Sequence, residues 1–313
     1  MPTIAVHPQF SMHMEEQGQG PAVVLLHGFC GSSRYWADLA PLLAGSCRVI
    51  TPDLRGHGTS DAPVGPYTIE QMADDVLHLA DTLGLDQFVL LGHSLGGYIT
   101  LSFAQRHAHR LKGFGLIHST GKPDTEEGKQ KRLATVEALQ RHGIVPVVDD
   151  LVPKLFAEDS GLGEAIDKAK EIGYSTPPQG AIGAVLAMRE RPDRTAVLQA
   201  TTLPVLLVAG EKDRIVAPEN VFTAAGDHIE RVILEGVGHM GMMEAPEKLA
   251  AAIRSFMDNA YDRRPNDRQA LVRTGVLHPC GQYSLCVILD VIFVQIRQLS
   301  KRILLLPDHD YHR

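Results

Sequence analysis

Short apolar runs separated by amphipathic stretches set the rhythm of the first 120 residues. Ala22 to Leu26, Arg48 to Thr51, Phe88 to Leu91 and Phe114 to His118 predict strands, and the continuous apolar character of most of them fits a sheet covered on both faces. Phe10 to Glu15 alternates weakly and predicts an antiparallel strand ahead of a turn at Gly18 and Gly20. Between the strands, Ile69, Met72, Ala73, Val76, Ala80 and Leu83 recur at steps of three and four, the apolar stripe of a surface helix. Ser32 or Ser33 can cap an earlier helix bearing Trp36, Leu39, Leu42 and Leu43. Strands alternating with helices predict a mostly parallel sheet with right-handed crossovers.

The alternation stops near Thr120. From Pro123 to Asp193 only helical spacing is found, in Leu133, Val136 and Leu139, in Ile166, Ala169 and Ile172, and in Ile182, Val185 and Leu186. Gly143, Pro146, Pro153, Gly161, Pro177 and Pro178 punctuate it. The sheet resumes with Pro204 to Ala209 and Arg231 to Leu234, and Pro246 to Met257 predicts a closing helix. The expected organisation is an α/β core over residues 1–120 and 194–260, an inserted helical lid over 121–193, and a C-terminal extension over 261–313. That extension holds no glutamate and a single lysine, and Asp290 interrupts its longest apolar run, Leu285 to Val294, which is too short to span a bilayer.

Composition narrows the partners more than the fold. The formal net charge of −7 and pI near 6.1 argue against a nucleic-acid partner. No basic segment followed by an apolar core opens the chain, so neither a signal peptide nor a membrane partner is expected. Cys30, Cys47, Cys280 and Cys286 show no metal-ligand or disulfide spacing, which fits a reduced, cytoplasmic setting.

The chemistry centres on Gly92-His93-Ser94-Leu95-Gly96, where a strand turns sharply into a helix that starts at Leu95. Glycines two residues either side of Ser94 let strand and helix close on each other, and the helix N-terminus favours negative charge beside the hydroxyl. A serine hydroxyl needs a base, and the base needs an acid to orient it. Asp213, in Gly210-Glu211-Lys212-Asp213, and His239, in Gly238-His239-Met240, follow the last two strands, where open α/β sheets place their sites. Asp213 could instead cap the helix after Pro218, with Asp124 as the reserve acid. His27 and His57 are expected to brace loops, Glu211 to be solvated, and Cys30 to be no nucleophile. Met240, Met242 and Met243 suit an acyl pocket or the core equally.

HGFCG at 27–31, RGHGTS at 55–60, GHSLG at 92–96 and the GEKD…GH pair at 210–239, in this order, resemble the α/β-hydrolases over about residues 5–260. The resemblance implies an α/β-hydrolase fold with Ser94 as nucleophile, Asp213 as acid and His239 as base. It places the oxyanion hole at the backbone N–H groups of Phe29 and Leu95, and requires no metal or organic cofactor. The expected activity is that of a carboxylesterase-like serine hydrolase acting on a small, largely apolar ester or lactone, in a monomer or homodimer. The acyl group is expected to meet Phe29, His93 and Met240 beside the serine, and Leu133, Leu139, Leu155 and Phe156 from the lid. Carbon–carbon bond hydrolysis and cofactor-free perhydrolysis are the alternatives on the same residues. A non-catalytic receptor with this fold is the alternative of another class.

Overall fold

The computed structural model describes residues 3–7, 10–158 and 161–262. Eight strands form one sheet in the order β1-β2-β4-β3-β5-β6-β7-β8. They are β1 (Thr3–His7), β2 (Phe10–Gln17), β3 (Ala22–Leu26), β4 (Arg48–Pro52), β5 (Phe88–His93), β6 (Leu111–Ile117), β7 (Val205–Gly210) and β8 (Ile229–Leu234). β1 and β2 pair antiparallel with each other and β2 does so with β4, while every later pairing is parallel. β3, β5 and β7 are buried along their whole length, which is why they read as unbroken apolar runs rather than alternating ones. β8 lies at an edge and alternates accordingly, with Ile233 exposed.

The first crossover holds a 3-10 turn (Ser33–Trp36) and the short α1 (Ala40–Leu43), in place of the single helix that the Trp36–Leu43 stripe predicts. α2 (Ile69–Thr82) starts where Thr68 accepts a hydrogen bond from the Gln71 N–H at 3.0 Å. α3 (Leu95–His107) is buried from Leu95 to Ala104, having sheet on one side and helices on the other.

Five helices, α4 (Glu126–His142), α5 (Ile144–Leu155), α6 (Gly163–Tyr174), α7 (Pro178–Glu190) and α8 (Thr195–Ala200), separate β6 from β7. Pro146 and Pro153 do not break this segment. Pro146 sits in the first turn of α5, where its missing N–H has no acceptor to serve, and Pro153 sits in the last. At α7 the packing is backbone on backbone: a Cβ on Gly56 would lie 2.6 Å from Gly180 Cα. Asp124 pairs with Arg132 of α4 at 3.0 Å and with Arg191 at 2.8 Å, and the second pair anchors the start of the segment to its end. The Arg191 guanidinium also stacks 4.0 Å over Tyr98 of α3. After β7 come α9 (Pro218–Val221), α10 (Gly241–Glu244) and α11 (Pro246–Asp262). The extension expected over 261–313 lies, from residue 263 onward, outside the described residues.

Beneath the loop after β4, Arg55 donates twice to Asp75 of α2, at 2.5 Å each, with both side chains buried. Phe10 and Tyr67 cover the guanidinium at 4.9 and 5.4 Å. Removing one partner of a buried pair leaves the other charge stranded, at a cost of about 3–5 kcal/mol. Asp75→Ala should therefore lower Tm by roughly 8 °C or more in a calorimetric scan, and an unchanged Tm would show that the pair does not brace this loop.

Candidate active site

The turn between β5 and α3 forces the serine outward. Ser94 has φ 49° and ψ −111°, a left-handed conformation that costs a non-glycine residue about 1–3 kcal/mol. Its neighbours hold it there. A Cβ on Gly92 would sit 2.1 Å from Gly96 O, and one on Gly96 would sit 2.5 Å from Leu26 O, so neither position admits a side chain. Ser94 O accepts from Gly97 N at 2.9 Å and from Ser119 Oγ at 2.7 Å, and Ser94 N donates to Ile117 O at 3.1 Å. Between Phe88 and Ala104, Ser94 is the single residue that is not buried.

Asp213 lies three residues past β7, and His239 follows β8, the next strand along the sheet. His239 Nδ1 and Asp213 Oδ2 are 2.7 Å apart, both side chains being buried. The other oxygen of Asp213 accepts from the N–H groups of Ile215 (2.8 Å) and Val216 (2.9 Å). Burial works to raise the pKa of this carboxyl, but His239 and His118 beside it outweigh burial and hold it well below the usual carboxylate range. An ionised Asp213 requires the proton on His239 Nδ1, which leaves Nε2 as a base. Among the described residues Ser94 Oγ makes no hydrogen bond to His239, a link that in ligand-free sites commonly tightens only with substrate.

The loops around Ser94 are laced by hydrogen bonds. His27 Nδ1–H donates to Gly28 O at 2.8 Å and its Nε2 accepts from Leu54 N at 2.9 Å, so burial leaves it neutral with a fixed tautomer. Asp53 accepts from Ser33 N at 2.6 Å and from Thr59 N at 2.8 Å, tying the HGFCG loop to the RGHGTS loop. The first of these loops lies against the serine: a Cβ on Gly28 would come within 3.2 Å of Ser94 Cβ. Phe29 N donates to no group among the described residues, and Leu95 N, at the first position of α3, has no intrahelical acceptor. His57 packs edge-on to the half-buried Phe29 ring at 6.2 Å, and desolvation pushes its pKa down to about 3.

Several expected ligand contacts fall elsewhere. His93 is buried, and its Nε2–H donates to His239 O at 2.9 Å, so it ties the serine turn to the His239 loop instead of facing a ligand. Met240, Met242 and Met243 pack in the core, as do Leu139, Leu155 and Phe156; Leu155 acts through its carbonyl, which accepts from His239 N at 2.7 Å. These residues are apolar enough to close the core, and closing it leaves them little free surface. Phe29 and Leu133 remain partly exposed. The reserve acid Asp124 is engaged by Arg132 and Arg191 and does not meet His239.

Sequence reasoning passed over His118, at the end of β6. It is fully buried, has φ 50°, and places Nδ1 3.5 Å from Asp213 Oδ2. A histidine that closes a central parallel strand was the available signal. His118, Asp213 and His239 offer ligand atoms within 4.8 Å of one another. Asp213 already accepts from three protein N–H groups, however, which suits the orienting of an imidazole better than the holding of a cation.

A family model described as alpha/beta hydrolase fold matches residues 21–142. A thermophilic esterase from Thermogutta terrifontis is similar in structure, with 34% identity, TM-score 0.78, and coverage of 83% of this chain and 98% of its own. An enol-lactonase from Burkholderia xenovorans LB400 has 26% identity and TM-score 0.75, covering 82% of this chain and 99% of its own. RutD of Agrobacterium fabrum, a protein named for carbamate hydrolysis, is 30% identical over 212 residues, which span 66% of this chain and 80% of RutD.

Because the Gly92 Cβ would meet backbone 2.1 Å away, Gly92→Ala must open the turn and move Ser94. A displacement near 1 Å can cost about 10²-fold in rate, so kcat/KM should fall at least that far while the circular dichroism spectrum is kept. Activity within a few-fold of wild type would show that the close approach is not needed.

Proposed function

The chain belongs to the α/β-hydrolase family and is a hydrolase, and on that premise we propose that it cleaves a small, largely apolar carboxylic ester or lactone through an acyl-enzyme on Ser94. The observation that carries this reading is the pairing of one accessible, strained serine with a buried His239–Asp213 hydrogen bond at neighbouring strand ends.

The chemistry follows from these positions. The Ser94 hydroxyl rotates toward His239 Nε2 and gives that nitrogen its proton as Oγ bonds to the carbonyl carbon, whose π electron pair moves onto the carbonyl oxygen to form a tetrahedral intermediate. The carbonyl oxygen, now negative, is met by the Phe29 and Leu95 N–H groups at the mouth of α3, where the helix dipole adds to the attraction. Asp213 stabilises the imidazolium that results. His239 then protonates the leaving alkoxide, and water repeats both steps to release the acid. The esterase and enol-lactonase neighbours support the ester and lactone class. RutD favours a second reading, a carbamate, whose acyl carbon would be attacked by the same serine. The four helices α4 to α7, within residues 121–193, act in this reading as a lid, with Leu133 facing the acyl group.

A panel of p-nitrophenyl esters, lactones and an N-alkyl carbamate separates the substrate classes. On the best of them, Ser94→Ala should lose about 10⁶-fold in kcat and Asp213→Ala about 10⁴-fold. Asp124→Ala should stay within a few-fold of wild type while losing thermal stability, since it strands Arg191. A Ser94→Ala protein that keeps more than a few per cent of wild-type turnover would refute the nucleophile, and a large loss confined to Asp124→Ala would move the acid.

A further inference from the structure

His118 is a buried side chain beside Asp213 that the proposed mechanism leaves unused. Among the described residues Nε2 has no hydrogen-bond partner and Nδ1 has only Asp213 Oδ2, at the limiting distance of 3.5 Å, although the side chain has no exposure at all. Burying an unpaired polar group is costly, so such groups are rare and call for a physical reason. A core position with no polar task would be filled more cheaply by leucine or phenylalanine. The ring is also held in place deliberately. The residue takes φ 50°, its N–H donates to Val208 O at 2.8 Å, and a Cβ on Gly241 would sit 2.5 Å from its Nε2, so the absence of a side chain there makes room for the ring.

The Asp213 carboxylate supplies the reason. Two oxygens have room for about four hydrogen bonds. Oδ1 takes two, from Ile215 and Val216, and Oδ2 takes one, from His239. The fourth place faces His118 Nδ1, 3.5 Å away. We propose that His118 is a positioning residue: its Nδ1–H is the second donor to Asp213 Oδ2, which pins that oxygen between two imidazoles and shares its charge between them. The inference rests on the serine-hydrolase reading for its consequence, though not for its geometry.

Four groups face the His118 ring from the elements around it: Asp213 after β7, His239 after β8, His93 at the end of β5, and Glu244 in α10. Burial and His239 disfavour a charge on His118, while Asp213 and Glu244 favour one. Burial dominates, so His118 stays neutral and remains a donor that draws part of the Asp213 charge away from His239. Without that donor the whole charge acts on His239 and favours its protonated form. The base is then lost at a higher pH.

The test compares wild type with His118→Phe, which keeps ring volume and removes both nitrogens, and with His118→Asn, whose amide N–H takes the place of Nδ1. His118→Leu replaces the Phe variant should that one not fold. The acid limb of kcat/KM against pH, measured on a chromogenic ester, should move up by about half a unit or more in His118→Phe and return in His118→Asn. The low-field proton resonance of the Asp213–His239 hydrogen bond, read by NMR without turnover, should move in the Phe variant alone. An acid limb and a resonance that both stay put in His118→Phe, or that move equally in His118→Asn, would overturn the assignment. Absence of wild-type turnover on every ester would sink the hydrolase reading instead, and the resonance would still decide the role of His118.

Discussion

Everything at this site depends on a close approach that only glycine permits. Between β5 and α3 the backbone of Gly92 comes so near that of Gly96 that a single methyl group would collide with a carbonyl at 2.1 Å. The turn that results leaves Ser94 in a left-handed conformation, worth about 1–3 kcal/mol of strain, which the surrounding bonds from Gly97, Ser119 and Ile117 hold in place. The strain has a chemical use. It turns one hydroxyl out of an otherwise buried stretch and sets it at the first N–H groups of a helix, where developing negative charge is stabilised.

The sheet converts that local geometry into a site. Parallel strands all end on one side, so β3, β5, β6, β7 and β8 deliver Phe29, Ser94, His118, Asp213 and His239 to the same edge although more than 200 residues separate the first from the last. His239 is then fixed from three directions: its ring by Asp213, its N–H by Leu155 O, and its carbonyl by His93. The helices between β6 and β7 thus hold His239 directly, through the Leu155 carbonyl. The buried Arg55–Asp75 pair does a similar service for the RGHGTS loop, which Asp53 links to the loop carrying Phe29.

Most of this was legible in the chain because each signal has a short-range cause. Strands covered on both faces must be apolar throughout, so Ala22–Leu26 and Val205–Gly210 announce themselves, and a strand-to-helix turn this tight must carry glycines at 92 and 96. What the chain could not show was direction. Met240, Phe156 and Leu139 are apolar whether they face a ligand or the core, and only three-dimensional packing assigned them to the core. His93 looked available to a substrate because its neighbour is Ser94, yet the strand pleat turns it inward to His239 O. His118 went unnoticed because its partner Asp213 lies 95 residues away along the chain.

The central claim is that Ser94, activated by His239, is the nucleophile, and covalent capture tests it most directly. The wild-type protein should react with a fluorophosphonate to give one adduct per chain, which peptide mass spectrometry would place on Ser94. Labelling should fall by orders of magnitude in His239→Ala, since the hydroxyl then has no base. An adduct on Ser119 or another residue, or labelling of Ser94 at the same rate without His239, would contradict the account.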